Sequence, residues 1–234
     1  MINIKKNILV TAISALSITA PTSSIASNLE GAIKNGTLDI SFRYRAESVE
    51  QNNALNNALA NTLKSRLTIK TGSIAGLSLL VEGDNTLHLT NEFWDKDGVN
   101  TESTSIVLDQ ETTQLNQVYL QYTGYKNIIK AGNQRINLDN QRHVGGVGFR
   151  QDEATFDAIS ISNKSIDNTI IFAAISNNRN SITNGNTEES IALLNAKFFL
   201  SPELSVTGYY YHISDLGTKN SGIDLNTIGL RATG

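Results

Sequence analysis

The sequence contains no cysteine and only 2 prolines, one of which, Pro21, lies near the N-terminus. A small domain in an oxidising compartment normally relies on disulfides to offset a thin core. Without them another device must hold the fold, and closing a sheet on itself is one. Long hydrophobic runs are also missing. After residue 20 nothing approaches the roughly 20 apolar residues of a spanning helix. Excess positive charge is absent too, with 19 Lys+Arg against 22 Asp+Glu. That balance argues against a nucleic-acid partner, which calls for a strongly basic face.

Several chemical signatures are lacking as well. Gly145-Gly146-Val147-Gly148 is glycine-rich but has no dinucleotide-binding spacing. His88, His143 and His212 are scattered and form no His-x-x-x-His pair, so neither a metal site nor a cofactor is predicted. No Gly-x-Ser-x-Gly elbow occurs. A membrane-anchored Ser-His-acid hydrolase remains an alternative, because its members need proximity in space rather than in sequence.

The N-terminus reads as an export leader. Lys5 and Lys6 precede an apolar run over residues 8–20, Pro21 breaks it, and Ser24-Ile25-Ala26 offers a small-x-small cleavage site. Cleavage after Ala26 is predicted, giving a leader over 1–26, a lead-in over 27–36 and a β-domain over 37–234. The leader holds two Lys and no acid, so the remainder carries 19 − 2 = 17 cations against 22 anions, a net −5.

What is present is alternation. In residues 38–47 every even position is apolar or aromatic and every odd one polar or charged. Ten residues at period two is what a tilted barrel strand requires. The pattern recurs over 62–71, 77–82, 115–123, 128–134, 155–162, 169–177, 191–200, 204–214 and 225–232, separated by Gly/Asn/Ser/Pro turn chemistry. Two long polar stretches, 85–112 and 135–150, read as a loop at the extracellular end and a middle segment free to fold inward. The predicted fold is therefore all-β, a transmembrane antiparallel up-and-down β-barrel. About ten strands run into the terminus with no closing turn, so the chain is expected to be the N-terminal portion of a larger barrel.

Alternation also assigns faces. Arg43, Arg45, Lys64, Arg66, Lys70 and Lys130 fall on the polar, lumen side, and Arg135, Arg142 and Arg150 lie in or beside the middle segment. The lumen carboxylates expected are Asp39, Glu47, Glu82, Asp139 and Asp157. Guanidinium groups before a low-dielectric wall focus positive potential and favour anions. The plainer reading is that these residues pair with one another and keep the wall rigid and wet.

Phe42-Arg43-Tyr44-Arg45, Asn116-Gln117-Val118-Tyr119-Leu120 and the segment 132–157, with Gly132-Asn133-Gln134-Arg135, Phe149-Arg150-Gln151 and Thr155-Phe156-Asp157, resemble the alginate-export family of Gram-negative porin-like proteins. Asn133 stands where that family more often has Arg, and His143 replaces a commoner aromatic. The resemblance implies a barrel of roughly 16–18 strands in the bacterial outer membrane. It also implies insertion by the barrel-assembly machinery and passage of small anionic solutes or anionic polysaccharide through an Arg/Lys-lined lumen. A non-transport surface barrel used for adhesion is the third alternative.

Overall fold

The computed structural model describes residues 22–89, 104–183, 185–215 and 224–234. The predicted n-region and apolar run of the leader lie outside these residues. So do the Trp94 to Gly98 part of the first polar stretch and the turn at 217–222.

A helix, α1 (Thr22–Lys34), begins directly after Pro21 and runs across the predicted cleavage point. At the other end Asn35 and Gly36 donate back to Gly31 and Ile33 (2.9 and 3.1 Å), and Gly72 donates to the Ala32 carbonyl at 2.7 Å. The lead-in predicted over 27–36 is thus largely helical.

Ten long strands follow in meander order: β1 (Thr37–Val49), β2 (Ala58–Lys70), β3 (Leu77–His88), β4 (Thr112–Gly124), β5 (Asn127–Gln134), β6 (Thr155–Asn163), β7 (Thr169–Asn180), β9 (Glu189–Phe199), β10 (Ser205–Asp215) and β11 (Asp224–Thr233). A two-residue strand, β8 (Asn186–Thr187), folds back on β7. Each long strand pairs antiparallel with the next long strand of the chain, and β1 and β11 each have one partner among the described residues. The protein is an all-β, up-and-down antiparallel sheet. One difference from the sequence reading is that β3 runs on to His88, so residues 85–88 are strand rather than loop.

Register shows why the alternation holds. Leu38, Ile40 and Tyr44 stand opposite Ile69, Leu67 and Leu63, while Ser41 and Arg43 stand opposite Arg66 and Lys64. Such cross-strand pairs keep each face uniform. On one face Phe42 is 71% exposed, Ile175 62% and Ile228 84%, and exposed Leu, Ile and Phe recur from β1 to β11. An apolar surface that spans a whole sheet is far beyond what a water-facing monomer shows. We call this the outer face.

The inner face is crossed by a strap, residues 135–154, that links β5 to β6. Its first half is anchored by apolar contact: Ile136 and Val144 pack with Phe156, Ala158, Ala174, Ile191, Leu193 and Tyr211 on β6, β7, β9 and β10. Its second half lies over β1–β4 and is held by polar groups.

Candidate functional site

Two features of the backbone prepare the polar half. The β3–β4 register shifts between Glu82 and Gly83, leaving Asn116 as an extra residue in β4. A bulge of this kind turns two successive side chains to one face. Asn116 and Gln117 accordingly both donate to Glu82 Oε1, at 2.8 and 3.0 Å. The second feature is Gly132, at φ +128°, where an added Cβ would stand 2.4 Å from the Val118 carbonyl oxygen. Only glycine lets β5 press this closely on β4 before the strap departs.

Around the bulge sits a lattice of ion pairs. Arg66 binds Asp84 through two bonds of 2.7 Å, and its Nη2 reaches Glu153 at 3.0 Å. Arg135 donates through Nε to Glu153 at 2.7 Å and through Nη2 to Glu82 at 2.8 Å. Glu153, on the strap, therefore ties β2 to the strap's own root. Burial works to raise its carboxyl pKa, but Arg135, Arg66 and Lys64 outweigh that and hold it below the usual carboxylate range.

A second lattice joins the strap to β1. Arg43 Nη1 donates to the Gly148 and Arg150 carbonyls at 3.0 and 3.1 Å, and both Arg43 and Arg45 reach the Phe149 carbonyl. Arg45 also pairs with Glu47, contacts Asp109 at 3.3 Å and lies 3.9 Å above the Phe149 ring. Arg150 closes the group on Glu47 at 3.1 Å. Gln151 is fully buried; its amide N–H donates to Asp109 Oδ1 and its side chain to Thr62, each at 2.8 Å.

At the far end the strap is pinned by one triangle. Tyr211 donates to Asp139 Oδ2 at 2.8 Å, and Asn195 donates to both at 3.0 and 2.9 Å. Tyr209 and Tyr211 stack at 4.9 Å, with the His143 ring 6.0 Å from Tyr209. They border a cavity of about 240 Å³ that Arg142 and Arg231 also line. Among the described residues neither guanidinium has an ion-pair or hydrogen-bond partner.

The sequence-assigned cations thus divide. Arg43, Arg45, Arg66, Arg135 and Arg150 come together with their charges or donors engaged. Lys64 is buried beside them, 5% exposed. Lys130 lies 4.6 Å over the Tyr119 ring, and Lys70 is exposed at the end of β2, as is Asp39 near the start of β1. Glu47, Glu82 and Asp139 are on the inner face. Asp157 is not, which corrects its assignment to the lumen. It shares a side of β6 with exposed Ile159 and Ile161, and Asn133 and Asn178 each donate to it at 2.8 Å. Its neighbour Phe156 is the residue turned under the strap. Period two leaves Asp157 no other choice.

Sequence reasoning missed Asp84, Asp109, Asp152, Glu153 and Arg231. Asp84 was recoverable, because it falls on the same side of β3 as Glu82. Arg231 was too, because alternation along β11 sets it on the side away from exposed Ile228 and Leu230, whereas Asp109, Asp152 and Glu153 depend on where the polar stretches fold back, which alternation does not encode.

No family model matches the chain, and no curated protein matches it. Solved structures do. OccAB2 of Acinetobacter baumannii superposes with a TM-score of 0.64 at 15% identity, over 86% of this chain and 53% of that one. OccK8 (OprE) of Pseudomonas aeruginosa gives 0.61 at 11%, over 86% and 50%. A BenF-like porin of Pseudomonas fluorescens gives 0.55 at 12%, over 86% and 64%. The chain has the fold of these porin barrels and spans between half and two thirds of their length. The alginate-export resemblance rests on its short motifs alone.

Proposed function

We propose that the chain builds the wall and the constricting strap of a porin-like diffusion channel in the bacterial outer membrane, passing small anionic solutes. The observation that carries the reading is the division of faces. Apolar side chains cover the outer face on strand after strand, and a polar, arginine-rich inner face is narrowed by a docked strap. Lipid accepts a sheet only when its outward residues are apolar and its backbone groups are paired. The reading includes export by a leader cut after Ala26 and insertion by the barrel-assembly machinery. Such a cut falls inside α1 and leaves residues 27–34 to cap the β2–β3 turn.

The anion preference is assigned to Arg142 and Arg231. The arginines of the strap lattice are largely neutralised by their own carboxylates, whereas these two face the cavity unpaired, beside the stacked tyrosines. Reversal potential across a planar bilayer under a salt gradient tests this. An anion-favouring sign should be lost in the Arg142→Ala, Arg231→Ala double variant. A cation-favouring wild type, or no conductance from correctly inserted protein, overturns the reading.

A further inference from the structure

Asp152 has a setting unlike that of any other strap residue. It is fully buried, at 0% exposure. Among the described residues its side chain has one hydrogen bond, a long one of 3.5 Å from Thr86 Oγ1 to Oδ1, and Oδ2 has no donor. The groups facing it make matters worse for a charge. From β3 comes Asp84, already bound by Arg66, and from the 104–111 segment comes Asp109, bound by the Gln151 amide. From β2 comes Lys64, the one opposing cation among its largest influences. Arg66 and Arg135 are committed to Glu82, Asp84 and Glu153, and Arg43 and Arg45 to the Phe149 carbonyl, Glu47 and Asp109.

We propose that Asp152 is a proton-operated latch: protonated, it holds the strap's second half against β2 and β3, and ionised, it releases it. A proton removes the like-charge contact with Asp84 and Asp109 and turns an oxygen without a donor into a donor. The latch rests on the docking geometry, and only its effect on conduction rests on the channel reading.

Burial, then Asp84, push the Asp152 carboxyl from 3.8 up to about 7, with Lys64 pulling the other way. The raised value fixes the sign. Docking is strongest below the ordinary carboxyl range, weakens as pH climbs toward 7, and is weakest above it. Between pH 5 and pH 8 the two-unit gap from 5 to about 7 corresponds to roughly a hundredfold loss in the docking constant. Glu153 contributes nothing in that window, because its carboxyl stays ionised there.

Hydrogen exchange on the inserted full chain, corrected for intrinsic rates, tests the latch. The Gln151 amide is the reporter, since it is bonded to Asp109 only while the strap is down. Its protection should fall about a hundredfold from pH 5 to pH 8, while amides in the β9–β10 ladder do not change. In Asp152→Asn, a neutral isostere, protection should stay at the acid level throughout. A flat wild-type profile overturns the latch without reference to the variant, and so does an Asn variant that keeps the wild-type profile. Single-channel conductance over the same range is the second arm. Exchange that shifts with pH while conductance does not supports the latch and overturns its role as a gate.

Discussion

Replacing Glu153 by alanine should undock the polar half of the strap while the barrel wall persists. Glu153 Oε2 accepts from Arg66 Nη2, from two nitrogens of Arg135 and from Asn116 Nδ2 at 3.2 Å. Its side chain is 10% exposed, that of Arg66 15% and that of Arg135 25%. Removing one partner of a buried pair costs about 3–5 kcal/mol, chiefly because the other charge is left uncompensated. Arg135 keeps a quarter of its side chain in water, so the low end applies, about 3 kcal/mol. That is about a hundredfold in the local opening constant. The Ala154 amide, which donates to the Gly146 carbonyl at 2.9 Å, reads the opening by hydrogen exchange. Glu153→Gln keeps an acceptor and loses the charge, so its effect should fall between wild type and Ala. An Ala variant whose Ala154 amide exchanges within threefold of wild type would show that solvent already screens these pairs. The strap would then be held by Ile136 and Val144 alone.

Other perturbations have different signatures. Gly132→Ala forces a Cβ against the Val118 carbonyl at a φ that side chains rarely adopt. It should lower stability by about 2 kcal/mol or more, visible as an earlier urea midpoint in lipid vesicles. Tyr211→Phe leaves Asp139 without its hydroxyl donor, at a cost of about 1–3 kcal/mol. It should speed exchange of the Gln141 amide, bonded to Leu138, and leave Ala154 unchanged. Glu153, with its carboxyl held low, contributes stability above the ordinary carboxylate range and loses it as pH falls through its depressed value. In Asp152→Asn, where the latch is silent, Ala154 protection should therefore collapse only on strong acidification, the opposite direction from the Asp152 effect on the strap of the wild type.

The wall was legible because its physics is local. Leu38, Ile40, Phe42 and Tyr44 alternate with Asp39, Ser41, Arg43 and Arg45 in the sequence, and the same alternation sorts them between the outer and inner faces. All ten long strands follow from that one rule. The strap was legible only as a polar stretch. Ile136, Leu138 and Val144, which seat it, are three apolar residues in an Asn/Gln/Gly-rich run and carry no period. Asp109 and Asp152 are further out of reach, because each gains its meaning from a partner more than 40 positions away. Bulges hid a third kind of information. The extra Asn116 breaks the alternation by one residue, and that break brings two amides onto Glu82.

The division of the strap into an apolar and a polar half explains why the inner face carries so many neutralised cations. An apolar dock is insensitive to pH and salt and has no preferred partner beyond shape. An ion-pair dock adds little net stability, since desolvation offsets most of its attraction, but it is specific and can be switched. Seating residues 136–144 on the apolar core fixes where the strap lies. Two lattices, one around Glu82 and Glu153 and one around Glu47 and the 148–150 carbonyls, then fix how residues 148–153 are turned, and together they engage five guanidinium groups. On the channel reading proposed above, selectivity falls to arginines without a structural partner, and these are Arg142 in the strap's first half and Arg231 on β11. The arginine pattern in the sequence is therefore mostly an anchoring pattern, and counting arginines on the inner face overstates the field a passing anion would meet.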